Sequence, residues 1–193
     1  MNISAEFVTS AAGAEGFPTD RLPEIAMVGR SNVGKSSLIN ALVRKPLART
    51  SAAAGKTRLA NFYRVRRGAG APLYLVDLPG YGYARGGDAS AEEFTRLTDA
   101  YFARDVDVLL LVDARHPGLE SDLEAWAWLA ARDCRRHVVG TKVDKLTRAD
   151  RVRHARAFHS VFDAPVPLVS AHTGEGLDEL WKMITSLPSR TAA

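Results

Sequence analysis

A chain of 193 residues, 46% hydrophobic and 25% charged, has the length and make-up of one globular domain with a full core. Its net charge of +4 is mild, no apolar run approaches a membrane span, and the chain opens on no export-signal pattern, so a cytoplasmic protein without a membrane partner is expected. The one cysteine, Cys134, excludes an internal disulfide, and no second cysteine is there to build a metal pair with it.

Residues 1–23 read as an N-terminal extension, with an edge strand over Ile3 to Thr9 followed by a Gly/Pro loop. Residues 24–187 then alternate apolar strands with helical periods, and 188–193 form a short tail. Glu24 to Val28 reads as a buried strand and Ser37 to Val43 as a helix. Lys45 to Ala60 has neither period and reads as a mobile loop. Leu59 to Arg66 and Leu73 to Leu78 form two strands around a hairpin turn at Arg67 to Gly70. After a glycine-laden loop from Tyr81 to Asp88 come a helix from about Ala91 to Phe102, a strand over Val106 to Val112 and a helix over Leu119 to Ala131. Next are a strand over His137 to Thr141, a helix starting near Thr147 with Asp150 as capping partner, a strand over Val166 to Val169 and a helix over Gly176 to Leu187. This order describes a three-layer α/β domain whose sheet is mostly parallel with one antiparallel strand.

Between the first such strand and helix stands Gly29-Arg30-Ser31-Asn32-Val33-Gly34-Lys35-Ser36, with Ser37 next, a match to the phosphate-loop pattern in its required strand-loop-helix context. The two glycines permit torsions that let successive N–H groups converge on phosphate oxygens at the positive end of the helix. Lys35 is placed to reach the β- and γ-phosphates and the Ser36 hydroxyl to ligate Mg²⁺. In such sheets ligands bind at the carboxyl ends of the strands. Asp77-Leu78-Pro79-Gly80 ends one strand, with Asp77 suited to hold Mg²⁺ through water and Gly80 to bring its N–H to a terminal phosphate. In the loop Gly55-Lys56-Thr57, the Thr57 hydroxyl can complete the Mg²⁺ shell when a γ-phosphate holds the loop closed. Thr141-Lys142-Val143-Asp144 ends another strand. The Asp144 carboxylate can accept hydrogen bonds from guanine N1–H and the 2-amino group, and the Lys142 stem can lie over the purine. Val169-Ser170-Ala171 can aim a backbone N–H at guanine O6. Taken together these groups specify GTP and GDP rather than merely a phosphate.

These residues resemble the translation-factor-like GTPases and, within them, the EngB family of bacterial ribosome-biogenesis GTP-binding proteins. The resemblance runs from Ile25 to about Trp181 through GRSNVGKSSLINAL, LARTS, GKT, NFY, LYLVDLPGYGYA, VDARH and TKVDKL. It implies a Ras-like P-loop GTPase fold, GTP and GDP binding with magnesium, association with the large ribosomal subunit or its rRNA and not with DNA, and a need for the protein in normal division and septation. A monomer is expected. Three positions depart from the family pattern or from related GTPases: Ala54 replaces a usual proline, Arg58 a usual glutamine, and Thr141 stands where many GTPases carry asparagine. The segment from Arg85 to Thr95 also departs from the family's basic pattern.

Phosphoryl transfer asks mainly for charge stabilisation and an oriented water. Tyr81 occupies the position after Gly80 where Ras-like enzymes usually carry a water-orienting glutamine, so slow intrinsic turnover is expected, resting on Lys35, Thr57 and Gly80. Asn32 stands where potassium-stimulated relatives use an asparagine carbonyl to help hold K⁺. Two other functional classes stay open on these residues: a guanine-nucleotide-gated adaptor with incidental hydrolysis, and a P-loop kinase of a small metabolite, which Asp144 disfavours. Charge collects between Arg132 and Arg156, with nine Lys/Arg against three Asp, as a candidate RNA-facing surface.

Overall fold

The computed structural model describes residues 2–50, 59–81 and 88–187. The candidate residues Gly55, Lys56 and Thr57, the departures at Ala54 and Arg58, and the loop from Gly82 to Gly87 lie outside them.

A six-stranded sheet runs in the order β1-β3-β4-β2-β5-β6. Its strands are β1 (Ile3–Ala11), β2 (Glu24–Gly29), β3 (Ala60–Arg67), β4 (Leu73–Asp77), β5 (Asp107–Asp113) and β6 (Arg135–Thr141), and its helices are α1 (Lys35–Val43), α2 (Asp88–Phe102), α3 (Glu120–Ala130), α4 (Arg148–Phe162) and α5 (Leu177–Ser186). Strand β3 is antiparallel to both neighbours, whereas β2, β4, β5 and β6 pair in parallel. The mostly parallel sheet with one antiparallel strand is therefore the observed fold. The N-terminal strand joins that sheet as its edge, pairing with β3 through a register shift between Phe7 and Thr9.

The parallel strands are buried on both faces, as their unbroken apolar runs require. Along β5, Val108, Leu110 and Val112 pack toward one face with Leu97 and Tyr101 of α2, Leu129 of α3 and Phe158 of α4. Leu109 and Leu111 pack toward the other with Leu38 and Leu42 of α1 and Leu180 and Trp181 of α5. This period of two makes one strand serve two cores and yields three layers.

Three expected boundaries move for physical reasons. Strand β6 starts at Arg135, before the apolar residues, because Arg135 pairs with Asp107 of β5 and the Arg136 guanidinium lies over the Trp126 ring. The strand expected over Val166 to Val169 shrinks to one parallel bridge, Gly140 to Leu168. Pro165 and Pro167 lack the N–H that a ladder needs; only the Pro167 carbonyl and the Val169 N–H bond to Gly140. Helix α2 begins at Asp88, earlier than its apolar period announces. The cap of α4 matches expectation: Thr147 Oγ1 accepts from the Asp150 N–H.

Candidate functional site

The loop between β2 and α1 is shaped at its two glycines. Gly34 adopts φ 112° with open space around its Cα, so its torsion is what requires glycine. At Gly29 a Cβ would meet the Leu111 carbonyl at 2.7 Å and Val33 Cγ1 at 2.8 Å. Asn32 is in the left-handed region at φ 62°, which asparagine tolerates better than most residues. The loop thereby wraps Lys35, whose Nζ donates to the carbonyls of Gly29 at 3.1 Å and Arg30 at 3.2 Å. Burial pushes the Lys35 ammonium down, and the nearby Asp77 charge opposes that.

Asp77 at the end of β4 is buried and accepts from Ser36 Oγ at 2.5 Å through Oδ2. Its Oδ1 is buried with no hydrogen-bond partner among the described residues. Burial raises its carboxyl, against the pull of Lys35 and Ser36. An unsatisfied carboxylate oxygen beside a hydroxyl is an oxygen set that suits a hard dication, so Ser36 and Asp77 fit magnesium. Gly80 packs directly on the phosphate loop: a Cβ there would stand 2.7 Å from the Ser31 N.

The base end is assembled from β6 and the segment after α4. Ser170 Oγ donates to Asp144 Oδ1 at 2.7 Å and itself accepts from the His172 and Thr173 N–H groups. That hydrogen bond holds the Asp144 carboxyl below its ordinary value. Lys142, at φ 61°, directs Nζ to the Asn32 carbonyl at 2.8 Å and to Asp113 Oδ2 at 3.1 Å. The Thr141 hydroxyl, expected among the nucleotide contacts, lies within the protein, shared between the carbonyls of Val33 at 2.8 Å and Val112 at 3.1 Å. It ties the base loop to the phosphate loop. The side chains of Val33, Leu78, Val143 and Val169 are buried, and their backbone N–H groups donate within the protein, to the carbonyls of Arg30, Met27, Val169 and Gly140. Ser31, Asn32, Gly34, Ser36, Ser37, Gly80, Lys142, Asp144 and Ala171 line one cleft of about 1690 Å³. Small-ligand pockets typically hold about 300–1,000 Å³, so the cleft is large for one small ligand; Asn61 and Tyr63 also line it.

Two aspartates stand outside the phosphate-, magnesium- and base-binding motifs. Asp113, at the end of β5, accepts from Arg115 Nε at 2.9 Å and Nη2 at 2.7 Å as well as from Lys142. Burial would raise its carboxyl, but these cations outweigh burial and hold it well below the usual carboxylate range. Its signal in the sequence is an acid at a strand's carboxyl end, within VDARH. Asp122, in the first turn of α3, is 1% exposed and accepts from Arg30 and Tyr81. No local pattern marks it.

The profile of the 50S ribosome-binding GTPase family matches residues 24–142. A probable GTP-binding protein EngB of Solibacter usitatus is 45% identical over 189 residues, covering 96% of both chains. The chain belongs to the EngB family of GTP-binding proteins. The EngB relative from Oceanobacillus iheyensis is 42% identical over 94% of this chain and 95% of its own. Among solved structures, Era in complex with MgGDPNP and a segment of 16S ribosomal RNA superposes with a TM-score of 0.74 at 24% identity, over 89% of this chain and 58% of Era. A probable GTP-binding protein engB gives 0.57 at 22%, over 83% of this chain and 96% of that one. At these identities the structures speak for the fold alone. Family membership, fold and phosphate loop together make this a P-loop GTPase domain of the Ras-like class.

Proposed function

We propose that the protein is a cytoplasmic GTP-dependent switch that binds GTP and GDP with Mg²⁺, hydrolyses GTP slowly and acts in assembly of the large ribosomal subunit, with consequences for division and septation. One observation carries the nucleotide part: the Ser36–Asp77 pair and the Ser170-braced Asp144 line a single cleft. The ribosomal part is supported by the family description and by Era, a fold neighbour whose structure holds rRNA.

In this reading Lys35 neutralises phosphate charge and Gly80 offers its N–H to the terminal phosphate. Ser36, Asp77 and Thr57 would hold Mg²⁺, which when bound screens the charge developing on the phosphates. The Tyr81 hydroxyl is engaged with Asp122, and burial raises it far above its ordinary value, so it does not serve as a base. Unassisted hydrolysis is expected within about tenfold of ~10⁻⁴ per second, the scale of a Ras-like site without an activator. Asn32 is proposed as a K⁺ ligand. Single-turnover hydrolysis in KCl and in NaCl at matched ionic strength checks this, a faster rate in KCl being the expected result and equal rates removing the cation.

Sedimentation with ribosomal subunits under GDP, GTP and a non-hydrolysable analogue tests the partner, with retention on the large subunit under the analogue as the expected outcome. Several arginines of the basic segment already have partners: Arg132 lies over Trp128 and pairs with Asp99, Arg135 pairs with Asp107, and Arg136 lies over Trp126. On α4, Arg151 pairs with Glu175 and Arg153 with Asp150, so pairing does not single out one part of the segment, and the test takes the four arginines of that helix together. Replacing Arg148, Arg151, Arg153 and Arg156 with glutamine should flatten the dependence of subunit affinity on log salt by roughly one unit for each arginine that meets a phosphate, while GDP binding is retained.

A further inference from the structure

Asp122 joins two segments that approach the phosphate site from different directions. Its Oδ1 accepts from Tyr81 OH at 2.5 Å and from Arg30 Nε at 3.1 Å, although Arg30 belongs to the phosphate loop, Tyr81 follows β4, and Asp122 opens α3. Its Oδ2 is buried and has no hydrogen-bond partner among the described residues. A carboxylate that is 1% exposed and half satisfied is a costly way to start a helix, since any acid in an exposed first turn would favour the helix dipole as well.

Both partners bear directly on phosphate chemistry. The Arg30 carbonyl is one of the two that seat Lys35 Nζ. Tyr81 is bonded to Gly80, which sits so close to Ser31 that a Cβ has no room between them. We infer that Asp122 is a positioning residue: its carboxylate clamps the Gly80–Tyr81 corner onto the phosphate loop and thereby sets the preference for triphosphate over diphosphate. The inference rests on the cleft being a GTP site. A diphosphate leaves nothing for the Gly80 N–H to meet, so the position of that corner enters the affinity only when a γ-phosphate is present. Release of Tyr81 would leave the buried Asp122 with Arg30 alone, which biases the corner toward its clamped position.

The test is Tyr81→Phe and Asp122→Asn, singly and combined, with fluorescent GDP and GMPPNP affinities and single-turnover hydrolysis measured for each. Tyr81→Phe should weaken GMPPNP by about tenfold, the worth of a hydrogen bond to a charged group, and slow hydrolysis, while GDP affinity stays within about twofold of wild type. The double variant should be no weaker for GMPPNP than the worse single variant, because both changes act on the same Tyr81–Asp122 contact, one by removing the donor hydroxyl and the other by replacing the carboxylate with a weaker neutral acceptor. Equal shifts for GDP and GMPPNP, or no shift in either, overturn the clamp. Should Asp122→Asn fail to fold, Tyr81→Phe alone decides, as it removes a single hydroxyl. A wild-type protein that binds no GDP would instead overturn the nucleotide reading.

Discussion

Asp144→Asn is expected to weaken GTP binding by about a hundredfold or more and to shift preference toward XTP. The carboxylate can accept from both guanine N1–H and the 2-amino group, each a charge-assisted bond worth roughly 1.5–3 kcal/mol. An asparagine of the same shape presents one acceptor and one donor, which suits the 2-oxo group of xanthine. The brace need not fail with the charge, because Ser170 Oγ, which donates to Asp144 Oδ1 at 2.7 Å, can donate equally to an amide oxygen. The variant therefore isolates base recognition from loop geometry. Competition among GTP, XTP and ATP on the folded variant checks it; an unchanged GTP preference would remove Asp144 from the base site.

The second large effect concerns stability and its pH dependence. Asp113→Asn should cost about 2 kcal/mol at pH 7, less than the 3–5 kcal/mol of a fully buried pair because its partners retain contact with solvent. The side chains of Arg115 and Lys142 are 43% and 33% exposed against 5% for Asp113. The folded carboxyl lies below its unfolded value, so its contribution is fully present above the unfolded carboxylate range near about pH 4 and is lost as pH falls toward the folded value. Urea unfolding of wild type and Asp113→Asn from pH 7 down to about 3 should show a constant gap at the upper end that narrows below about pH 4. A gap that stays constant, or widens in acid, would contradict the ion-pair account.

The nucleotide motifs were legible because each is local. In the phosphate loop, the torsions that converge N–H groups depend on Gly29 and Gly34 within one turn, and the apolar runs on either side announce the strand and helix that carry it. Asp77 and Asp144 were readable for a related reason: each closes or follows an apolar strand, and parallel strands point their carboxyl ends at one edge of the sheet. The basic segment was less legible. Its charge count could not reveal that the Arg132 and Arg136 guanidiniums would lie 3.3 and 3.9 Å from the ring centroids of Trp128 and Trp126.

By itself the chain's order of residues determined the three-layer α/β class and the phosphate loop and marked the candidate base contacts, because hydrophobic period, glycine torsion and hydrogen-bonding capacity are properties of short segments. Only the tertiary structure decided what joins those segments. It turned the Thr141 hydroxyl inward to the Val33 carbonyl, set Asp113 against Lys142, and brought Asp122 of α3 to Arg30 and Tyr81. These pairs lie far apart along the chain, and a carboxylate or hydroxyl becomes a brace only when packing removes water and leaves the distant partner as its remaining source of hydrogen bonds.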